Sequence, residues 1–212
     1  SNWLKDTLKK NHGQNADVFV TPVDQDMFFC SKKKWNSTRR VCMLHHDYGW
    51  KGYEDGIKAV KEVIARGYDL QLVVFGEKLE DPQQLFDAAG FDFEYHYRPA
   101  RERLRKIYTS CDIFLCPSWY EGLGMTAMEA MACRCSLVTT NTGGCLEYAI
   151  NGKTALVSAP RDVGALSLNL IRLLEDETLL KSLSEDGYHR INEFNWEENC
   201  DRLMCLFNEN LT

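Results

Sequence analysis

The stretch Trp119-Tyr-Glu-Gly-Leu-Gly-Met-Thr-Ala-Met-Glu-Ala-Met-Ala-Cys133 says more about fold and function than any other part of the chain. It follows the apolar run Ile113-Phe-Leu-Cys116, which predicts a short buried strand that ends before Pro117. From Met125 onward the stretch is rich in Ala and Met and contains no Gly or Pro, which indicates a helix. A strand, a glycine-containing loop and a helix in this order are typical of an α/β fold.

Two carboxylates flank the start of this predicted helix. Glu121 lies in the loop, and Glu129 lies just over one turn inside the helix. The first N–H groups of a helix have no partner within it and can bind an anion, and Gly122 and Gly124 would let a ligand approach the backbone. The stretch therefore predicts an anion site with two functional carboxylates. The simpler alternative is one acid that complements the helix dipole and one solvated helical Glu.

Strands and helices alternate along the rest of the chain. Apolar runs predict strands at 41–44, 70–75, 91–97, 113–116, 137–140 and 155–157. Helical periodicity and end signals predict helices that end at 66–67 and that cover 81–89, 101–110, 125–133, 162–174, 178–192 and 196–207. This order predicts an α/β fold with a doubly wound, Rossmann-like parallel sheet. Ligands of such sheets bind beyond the carboxyl ends of the strands, where the loops discussed here are expected.

Composition narrows the class of protein. A chain of 212 residues with 44% hydrophobic residues can bury the core of one domain with appendages. A net charge of −6 argues against a nucleic-acid partner or a broad anionic-membrane surface. No apolar run approaches the roughly 20 residues of a membrane span, and no signal peptide opens the sequence. The nine irregularly spaced cysteines predict buried, reduced thiols, including Cys205, in a cytoplasmic protein without a metal site.

The segment that contains Glu121 and Glu129 resembles the Glu-x7-Glu signature of retaining group 1 nucleotide-sugar glycosyltransferases, which have the two-domain GT-B fold. The family pattern is roughly Pro-Ser-x-x-Glu-Gly-Phe-Gly-x-x-x-x-Glu-Ala-Met-Ala-x-Gly. Leu123 replaces the Phe, and Arg134 stands where the family usually has Gly, so the helix end is expected to differ in shape. The matching positions are Pro117, Ser118, Glu121, Gly122, Gly124, Glu129, Ala130, Met131 and Ala132.

The resemblance covers nearly the whole chain, but only the second half of a family member. It implies an interdomain crossing segment at 1–28, a Rossmann-like nucleotide-sugar-binding domain at 29–195, and a closing helix at 196–212. The domain would be one half of a GT-B fold. The N-terminal, acceptor-binding domain is missing from this sequence, and any peripheral membrane contact is expected to come through it.

The resemblance also implies roles for the residues of the motif. Glu129 would accept hydrogen bonds from both ribose hydroxyls of the donor. Glu121 would be catalytic: it would bind sugar hydroxyls and stabilise positive charge that develops near the anomeric carbon. Backbone N–H groups would hold the distal phosphate, and the residues that surround it are Gly122, Leu123, Gly124, Met125 and Thr126.

A second loop, Leu44-His-His-Asp-Tyr-Gly-Trp-Lys-Gly52, follows the first strand of the domain. Family members carry Gly-Arg-x4-Lys-Gly here, and the Arg and Lys bind the donor pyrophosphate. Lys51 matches and would be a catalytic residue that offsets charge on the leaving diphosphate, but His45 or His46 occupies the Arg position. The alternative is that Lys51 is a surface lysine and that the histidines pack at the strand end.

Three further contacts to the donor are expected at the same edge. Gly76 ends a strand where a ligand would approach the backbone, and Arg98 would line the base pocket or form an exposed salt bridge. Asn141-Thr-Gly-Gly144, followed by Glu147, resembles the family's second glycine loop near the nucleotide, although a plain turn explains it almost as well.

The sequence thus predicts the donor-binding domain of a retaining glycosyltransferase that moves a sugar from a nucleoside-diphosphate sugar to a glycan or glycolipid. No metal or other cofactor is expected, since no Asp-x-Asp motif is present. Without its N-terminal domain the chain is expected to be inactive. A catalytically silent nucleotide-sugar-binding module is the alternative, because the clamp Arg is missing. A dehydrogenase is disfavoured, because no Gly-x-Gly-x-x-Gly follows the first strand.

Overall fold

Six parallel strands form one sheet in the computed structural model, which describes residues 1–77 and 82–210. The strand order is β3-β2-β1-β4-β5-β6. This order confirms the predicted doubly wound, Rossmann-like sheet, and it places the reversal of winding between β1 and β4. The strands are β1 (Arg39–His45), β2 (Leu70–Gly76), β3 (Glu94–Tyr97), β4 (Ile113–Cys116), β5 (Ser136–Thr140) and β6 (Ala155–Ser158).

The helices cover both faces of this sheet. They are α1 (Asn2–His12), α2 (Tyr53–Ala65), α3 (Pro82–Ala89), α4 (Arg101–Ser110), α5 (Met125–Ala132), α6 (Val163–Glu175), α7 (Glu177–Asn192) and α8 (Trp196–Asn210). Side chains fix two of the starts: Asp162 and Asp176 each accept a backbone N–H three residues on, both at 2.9 Å. The predicted helix at 81–89 begins here at Pro82, and position 81 lies outside the described residues, as do 211–212 of the predicted closing segment. None of the described helices is long and apolar enough to cross a membrane.

Alternate residues of β1, β2, β4, β5 and β6 belong to two apolar clusters, one on each face of the sheet. In β4, Phe114 belongs to one cluster, whereas Ile113 and Leu115 belong to the other. The first cluster joins the sheet to α4, α5 and α7, and the second joins it mainly to α2 and α6. Because both faces are covered, the strands read as continuous apolar runs in the sequence.

The edge strand is shorter than the predicted strand at 91–97. Its pairing with β2 begins at Glu94, opposite Val73. Phe93 is instead buried in the cluster beside α2 and α3, and Phe91 packs against the same cluster. The apolar character of these two residues thus reflects packing onto helices rather than strand pairing.

Arg134, which stands where the family usually has Gly, adopts a backbone conformation that is typical of glycine. Its φ is 62°, in the left-handed region that a side chain normally disfavours. The side chain compensates through contacts of its own: Nε donates to the carbonyl oxygen of Cys30 at 3.1 Å, and the guanidinium lies 3.8 Å from the ring of Tyr188. The backbone at position 134 therefore has a conformation typical of glycine, and these contacts offset the free-energy cost of that conformation for an arginine.

The two ends of the chain lie against each other and against the domain. Asn199 of α8 donates from Nδ2 to the carbonyl oxygen of Val20 at 2.8 Å, and Arg202 lies over the ring of Phe19. Beyond these contacts α8 exposes Leu203, Met204 and Phe207. The segment at 1–28 also contains α1, a helix that the sequence patterns did not reveal.

All nine cysteines are free thiols, and seven of them are buried, as predicted. Cys205 is an exception to the prediction, because it is exposed on α8 together with Cys200. The apolar residues around Cys205 lie on a face of α8 that no described residue covers.

A buried carboxylate joins the starts of β1 and β4. Asp112 is fully buried; its Oδ2 accepts the backbone N–H of Arg40 at 2.8 Å, and its Oδ1 accepts that of Asn36 at 3.1 Å. We expect Asp112→Ala to lower the free energy of unfolding by about 3 kcal/mol, because three donors, the two backbone N–H groups and Asn36 Nδ2, would lose their acceptor. Urea unfolding measures this value. Asp26→Ala, at an exposed carboxylate, is the control, and an equal loss in both variants would contradict the prediction.

Candidate functional site

The loops that follow β1 and β4 touch each other at the reversal of winding. The backbone N–H of Trp119 donates to the carbonyl oxygen of Trp50 at 2.7 Å. Gly52 has a φ of 69°, and a Cβ at this position would overlap the carbonyl group of Pro117. The glycine after Lys51 is therefore required by the close contact of the two loops.

This contact brings the two predicted catalytic residues together. Lys51 Nζ lies 2.8 Å from Glu121 Oε1, and the two side chains are 21% and 12% exposed. An ion pair that is this well shielded from water interacts more strongly than one on an open surface. Lys51 is thus not an ordinary surface lysine.

The start of α5 offers free donors next to this pair. Gly124 precedes the helix with a φ of 85°, and its carbonyl oxygen accepts the N–H groups of Ala127 and Met128. Within the described parts of the chain, the N–H groups of Met125 and Thr126 make no hydrogen bond. Two free N–H groups at the positive end of a helix favour an anion.

Packing from behind fixes the shape of the glycine loop. Tyr148 is buried, and its Oη donates to the carbonyl oxygens of Leu123 at 2.9 Å and Gly124 at 3.2 Å. A Cβ at Gly124 would lie 2.7 Å from that Oη, so this position requires glycine. A Cβ at Gly122 would meet only Leu4, at 3.7 Å, so packing alone does not explain this second glycine.

Glu129 is a half-buried carboxyl group rather than a solvated one. Burial raises its pKa from 4.5 to about 7, while a hydrogen bond from Tyr108 and the charge of Arg101 act in the opposite direction. Tyr108 donates from Oη to Oε2 at 3.3 Å and is itself fully buried. Near neutral pH the group is therefore balanced between its two protonation states.

The two histidines do not both face this site. His45 is 3% exposed; its ring lies 4.1 Å from that of Tyr53, and its Nδ1 lies 3.3 Å from Tyr95 Oη. It takes the strand-end packing role that was the alternative to phosphate binding. His46 lies in the loop, where its Nδ1 accepts the N–H of Tyr48 and its ring stacks on the Tyr48 ring at 4.3 Å.

Gly76 and Arg98 lie at the same edge of the sheet but further from the ion pair. A Cβ at Gly76 would overlap the backbone of His45 on the neighbouring strand, so sheet packing is sufficient to require this glycine. Arg98 forms an exposed ion pair with Glu77 at 3.5 Å. The sequence allowed Arg98 either to line the base pocket or to form an exposed salt bridge, and the structure contains the salt bridge.

Sequence patterns did not reveal two residues that shape the site. Tyr108 lies on α4, far along the chain from Glu129, and reads as an ordinary core aromatic. Trp119 donates from Nε1 to Asp55 Oδ2 at 2.8 Å, and the guanidinium of Arg161 lies 3.8 Å from its ring. In the sequence, only the position of Trp119 at the start of the motif stretch indicates that it belongs to the site.

Comparison with known proteins agrees with this geometry. A family model described as glycosyl transferases group 1 matches residues 24–190. The chain is 31% identical to an uncharacterised glycosyltransferase of Methanocaldococcus jannaschii, over 93% of this chain and 55% of that protein. It is 27% identical to a capsular polysaccharide biosynthesis glycosyltransferase of Staphylococcus aureus, over 70% of this chain and 41% of that protein. It thus spans about half the length of these relatives.

Solved structures share the fold. A mutant of TarM from S. aureus, in complex with fondaparinux, alpha-GlcNAc-glycerol and UDP, superposes with a TM-score of 0.82 at 15% identity, over 96% of this chain and 41% of that one. The C-terminal domain of a group 1 glycosyl transferase from Francisella tularensis superposes with a TM-score of 0.68 at 21% identity, over 81% of this chain and 97% of that one. From the family match and the shared sheet we conclude that the chain belongs to the group 1 glycosyl transferases and contains their C-terminal domain, one half of the GT-B fold.

Proposed function

We propose that this chain is the donor-binding half of a retaining glycosyltransferase of the hexosyltransferase type. The enzyme moves a sugar from a nucleoside-diphosphate sugar to a glycan or glycolipid acceptor, and it needs no metal ion or other cofactor. One observation carries the proposal: the Lys51–Glu121 pair, at 2.8 Å, adjoins the free N–H groups at the start of α5. The presence of UDP in the related TarM structure supports a nucleotide ligand.

The donor would lie across the crevice between β1 and β4, where ligands of doubly wound sheets bind. The N–H groups of Met125 and Thr126 would hold the distal phosphate, and Glu129 would accept the ribose hydroxyls. Lys51 and the helix start together supply the positive charge that a divalent cation would otherwise bring to the diphosphate.

Transfer breaks the bond between the anomeric carbon and the phosphate oxygen, and the electron pair leaves with the diphosphate. An acceptor hydroxyl oxygen bonds to the carbon, and its proton passes to the departing diphosphate. Glu121 would stabilise the positive charge that develops on the sugar, and Lys51 the negative charge that develops on the leaving group.

The ion pair suggests how donor binding prepares the site. Without a donor, Lys51 and Glu121 neutralise each other. A diphosphate would attract Lys51 away from Glu121 and so free the carboxylate for the sugar. Donor binding would thereby generate the catalytic arrangement rather than meet it ready-made.

A catalytically silent nucleotide-sugar-binding module is the second candidate. It is favoured by the replacement of the family's clamp Arg: of the two residues that could take its position, His45 is buried and His46 contacts Tyr48. Donor hydrolysis by the full-length protein separates the two candidates, because a silent module would bind the donor without turnover.

We further propose that the 212-residue chain alone binds nucleotide but transfers no sugar. The N-terminal domain of the parent protein would complete the acceptor site and position its hydroxyl, and positioning can contribute about 7–11 kcal/mol to catalysis. The seven buried free thiols support a cytoplasmic location.

The first prediction for this site concerns Glu129 and nucleotide affinity. We expect Glu129→Ala to weaken binding of the preferred nucleoside diphosphate by about 1.5–3 kcal/mol, because a charge-assisted acceptor is lost. Calorimetry of the chain with UDP, GDP, dTDP and ADP measures this loss. Glu102→Ala, at an exposed glutamate on α4, is the matched control, and equal affinities in the two variants would remove Glu129 from the site.

The raised pKa of Glu129 adds a pH dependence to this prediction. If the ribose binds the carboxylate, binding must release the proton that the free group holds below its pKa of about 7. Affinity should then fall by roughly tenfold for each pH unit below that value. Glu129→Gln cannot titrate, so the difference between its pH profile and that of the unmodified chain isolates the effect; parallel profiles would contradict it.

A separate prediction concerns Glu121 in the full-length enzyme. Glu121→Gln should reduce kcat by at least about 100-fold while the affinity for free nucleoside diphosphate stays within a few-fold, since the carboxylate acts on the sugar. Steady-state kinetics and calorimetry measure the two quantities, with Glu102→Gln as control. A variant with normal turnover and weakened nucleotide binding would show that Glu121 is a nucleotide ligand instead.

A further inference from the structure

A cavity of about 650 Å³ opens between α1 and the carboxyl ends of β5 and β6, beside the donor crevice. Its volume is that of a small-molecule site. Its wall includes Asn141, Thr142 and Gly143 of the second glycine loop, whereas Lys51, Glu121 and Glu129 lie outside it. The lining consists of Trp3, Trp119, Tyr120, Asn141, Thr142, Gly143, Leu146, Ala149, Asn151, Val157, Ser158, Ala159 and Pro160.

The lining carries no charged side chain. Lys51 is not part of the lining, which separates this cavity from the crevice that holds that residue. Flat aromatic rings dominate it instead: Trp3, Trp119 and Tyr120, of which Tyr120 is 61% exposed. Such rings suit a ligand that is apolar on its faces and polar at its edge.

One polar group in the wall lacks a partner. Thr142 is 2% exposed, and its Oγ1 makes no hydrogen bond with any described residue. A buried hydroxyl without a partner costs free energy. The oxygen is closed to solvent, so a ligand hydroxyl would recover this cost only if adjacent atoms of the wall move to admit it.

Two amides add donors to the same wall. Asn141 Oδ1 accepts the N–H of Gly143 at 3.2 Å, and Asn151 Oδ1 accepts the N–H of Val157 at 2.9 Å. Each amide therefore has its oxygen engaged within the chain, and its Nδ2 makes no hydrogen bond to the parts of the chain that the structure describes. Amide donors beside aromatic faces match the hydroxyls and C–H faces of a pyranose ring.

The N-terminal helix holds the outer wall in place. Asn2 donates from its backbone N–H and its Nδ2 to the two carboxylate oxygens of Glu147, at 2.5 and 3.0 Å. The ring of Trp3 then lies against Gly143, where a Cβ would overlap it. The short loop at 143–147 is thus fastened to α1, and the cavity is closed on that side.

The cavity adjoins the sugar end of the donor site. The backbone N–H of Glu121 donates to the carbonyl oxygen of Thr142 at 3.2 Å, and Glu121 also pairs with Gly143. A ligand here would lie beside Glu121, the residue proposed to bind the donor sugar. An acceptor must also bind beside that sugar for transfer to occur.

We propose that this cavity binds a neutral pyranose ring of the acceptor glycan. The aromatic side chains Trp3 and Tyr120 contact the faces of the ring, and Thr142, Asn141 and Asn151 bind its hydroxyls. The acceptor role rests on the proposed transferase function, whereas the binding of a neutral saccharide rests on the cavity alone.

Titration of the 212-residue chain with simple glycosides tests the proposal. The probes are the methyl α-glycosides of glucose, galactose, mannose and N-acetylglucosamine, with the chain saturated by its preferred nucleoside diphosphate. Tryptophan fluorescence and saturation-transfer NMR report binding. We expect at least one probe to bind saturably and to remain bound when the nucleoside diphosphate is replaced by the corresponding nucleotide sugar.

Thr142→Val is the sharpest variant, because it keeps the shape and removes only the hydroxyl. We expect affinity for the glycoside to fall by roughly fivefold, with no decrease in melting temperature, since no hydrogen bond within the chain is lost. Thr139→Val is the matched control: that buried hydroxyl donates to Cys116 at 3.2 Å, so stability should fall while affinity stays unchanged. Tyr120→Ala should also weaken binding, whereas Trp196→Ala, at an exposed ring outside the cavity, should not.

Each contrary result has a distinct meaning. If the nucleotide binds but no glycoside does, or if Thr142→Val binds as tightly as the unmodified chain, the saccharide site is wrong and the proposed function stands. If the nucleotide sugar displaces the glycoside, the cavity belongs to the donor sugar and the acceptor assignment is overturned. If glycosides bind but no nucleotide does, the saccharide site stands, while the transferase function and the acceptor role fail.

Discussion

The reversal of winding between β1 and β4 determines where every functional group of this domain lies. The connections from these two neighbouring strands leave toward opposite faces of the sheet, so a crevice opens at their carboxyl ends. The loop that carries Lys51 borders the crevice on one side, and the loop that carries Glu121 borders it on the other. The 2.8 Å ion pair between them follows from this topology, because the two residues are distant in sequence.

The immediate surroundings of the crevice are rigid in some places and adaptable in others. Tyr148 holds the glycine loop through two carbonyl oxygens, and Gly52 fits closely against Pro117, so the backbone that would meet a phosphate is fixed. The charges are less fixed. Among the residues that the structure describes, Lys51 and Glu121 form an ion pair with each other, and burial keeps the pKa of Glu129 near 7. A ligand that brings its own charges and hydroxyls would therefore change the electrostatics of the site without a large change in backbone.

Much of the fold could be predicted from the sequence, because strands buried on both faces are continuous apolar runs and helices end at recognisable signals. The prediction of helices and strands was less accurate where tertiary packing, rather than local sequence, determines the structure. The two phenylalanines before β3 looked like strand residues but pack onto helices, and α1, which has apolar residues at Trp3, Leu4 and Leu8, buries none of its residues. Arg134 was expected to alter the helix end, yet it adopts the glycine conformation, because contacts from distant parts of the chain offset the strain.

The candidate site was predictable only as far as the motif extended. Glu121, Glu129 and Lys51 were identified from their spacing, whereas the burial of His45 and the contact between Tyr108 and Glu129 depend on side chains that meet only in the folded chain. The unpartnered hydroxyl of Thr142 is likewise invisible in the sequence, since nothing local distinguishes it from an ordinary turn threonine. Local sequence patterns predict strands, helices and loops. Which buried polar groups have a hydrogen-bond partner can be seen only in the structure.

The central claim is that the crevice between β1 and β4 binds a nucleoside diphosphate at the start of α5. Backbone amide NMR of the 15N-labelled chain, titrated with UDP, GDP, dTDP and ADP, tests it most directly. The account predicts that one of these nucleotides produces its largest shifts at the amides of Met125 and Thr126, which have no hydrogen-bond partner in the described chain. Saturable binding with unchanged Met125 and Thr126 amides, and with shifts confined to another part of the domain, would contradict it.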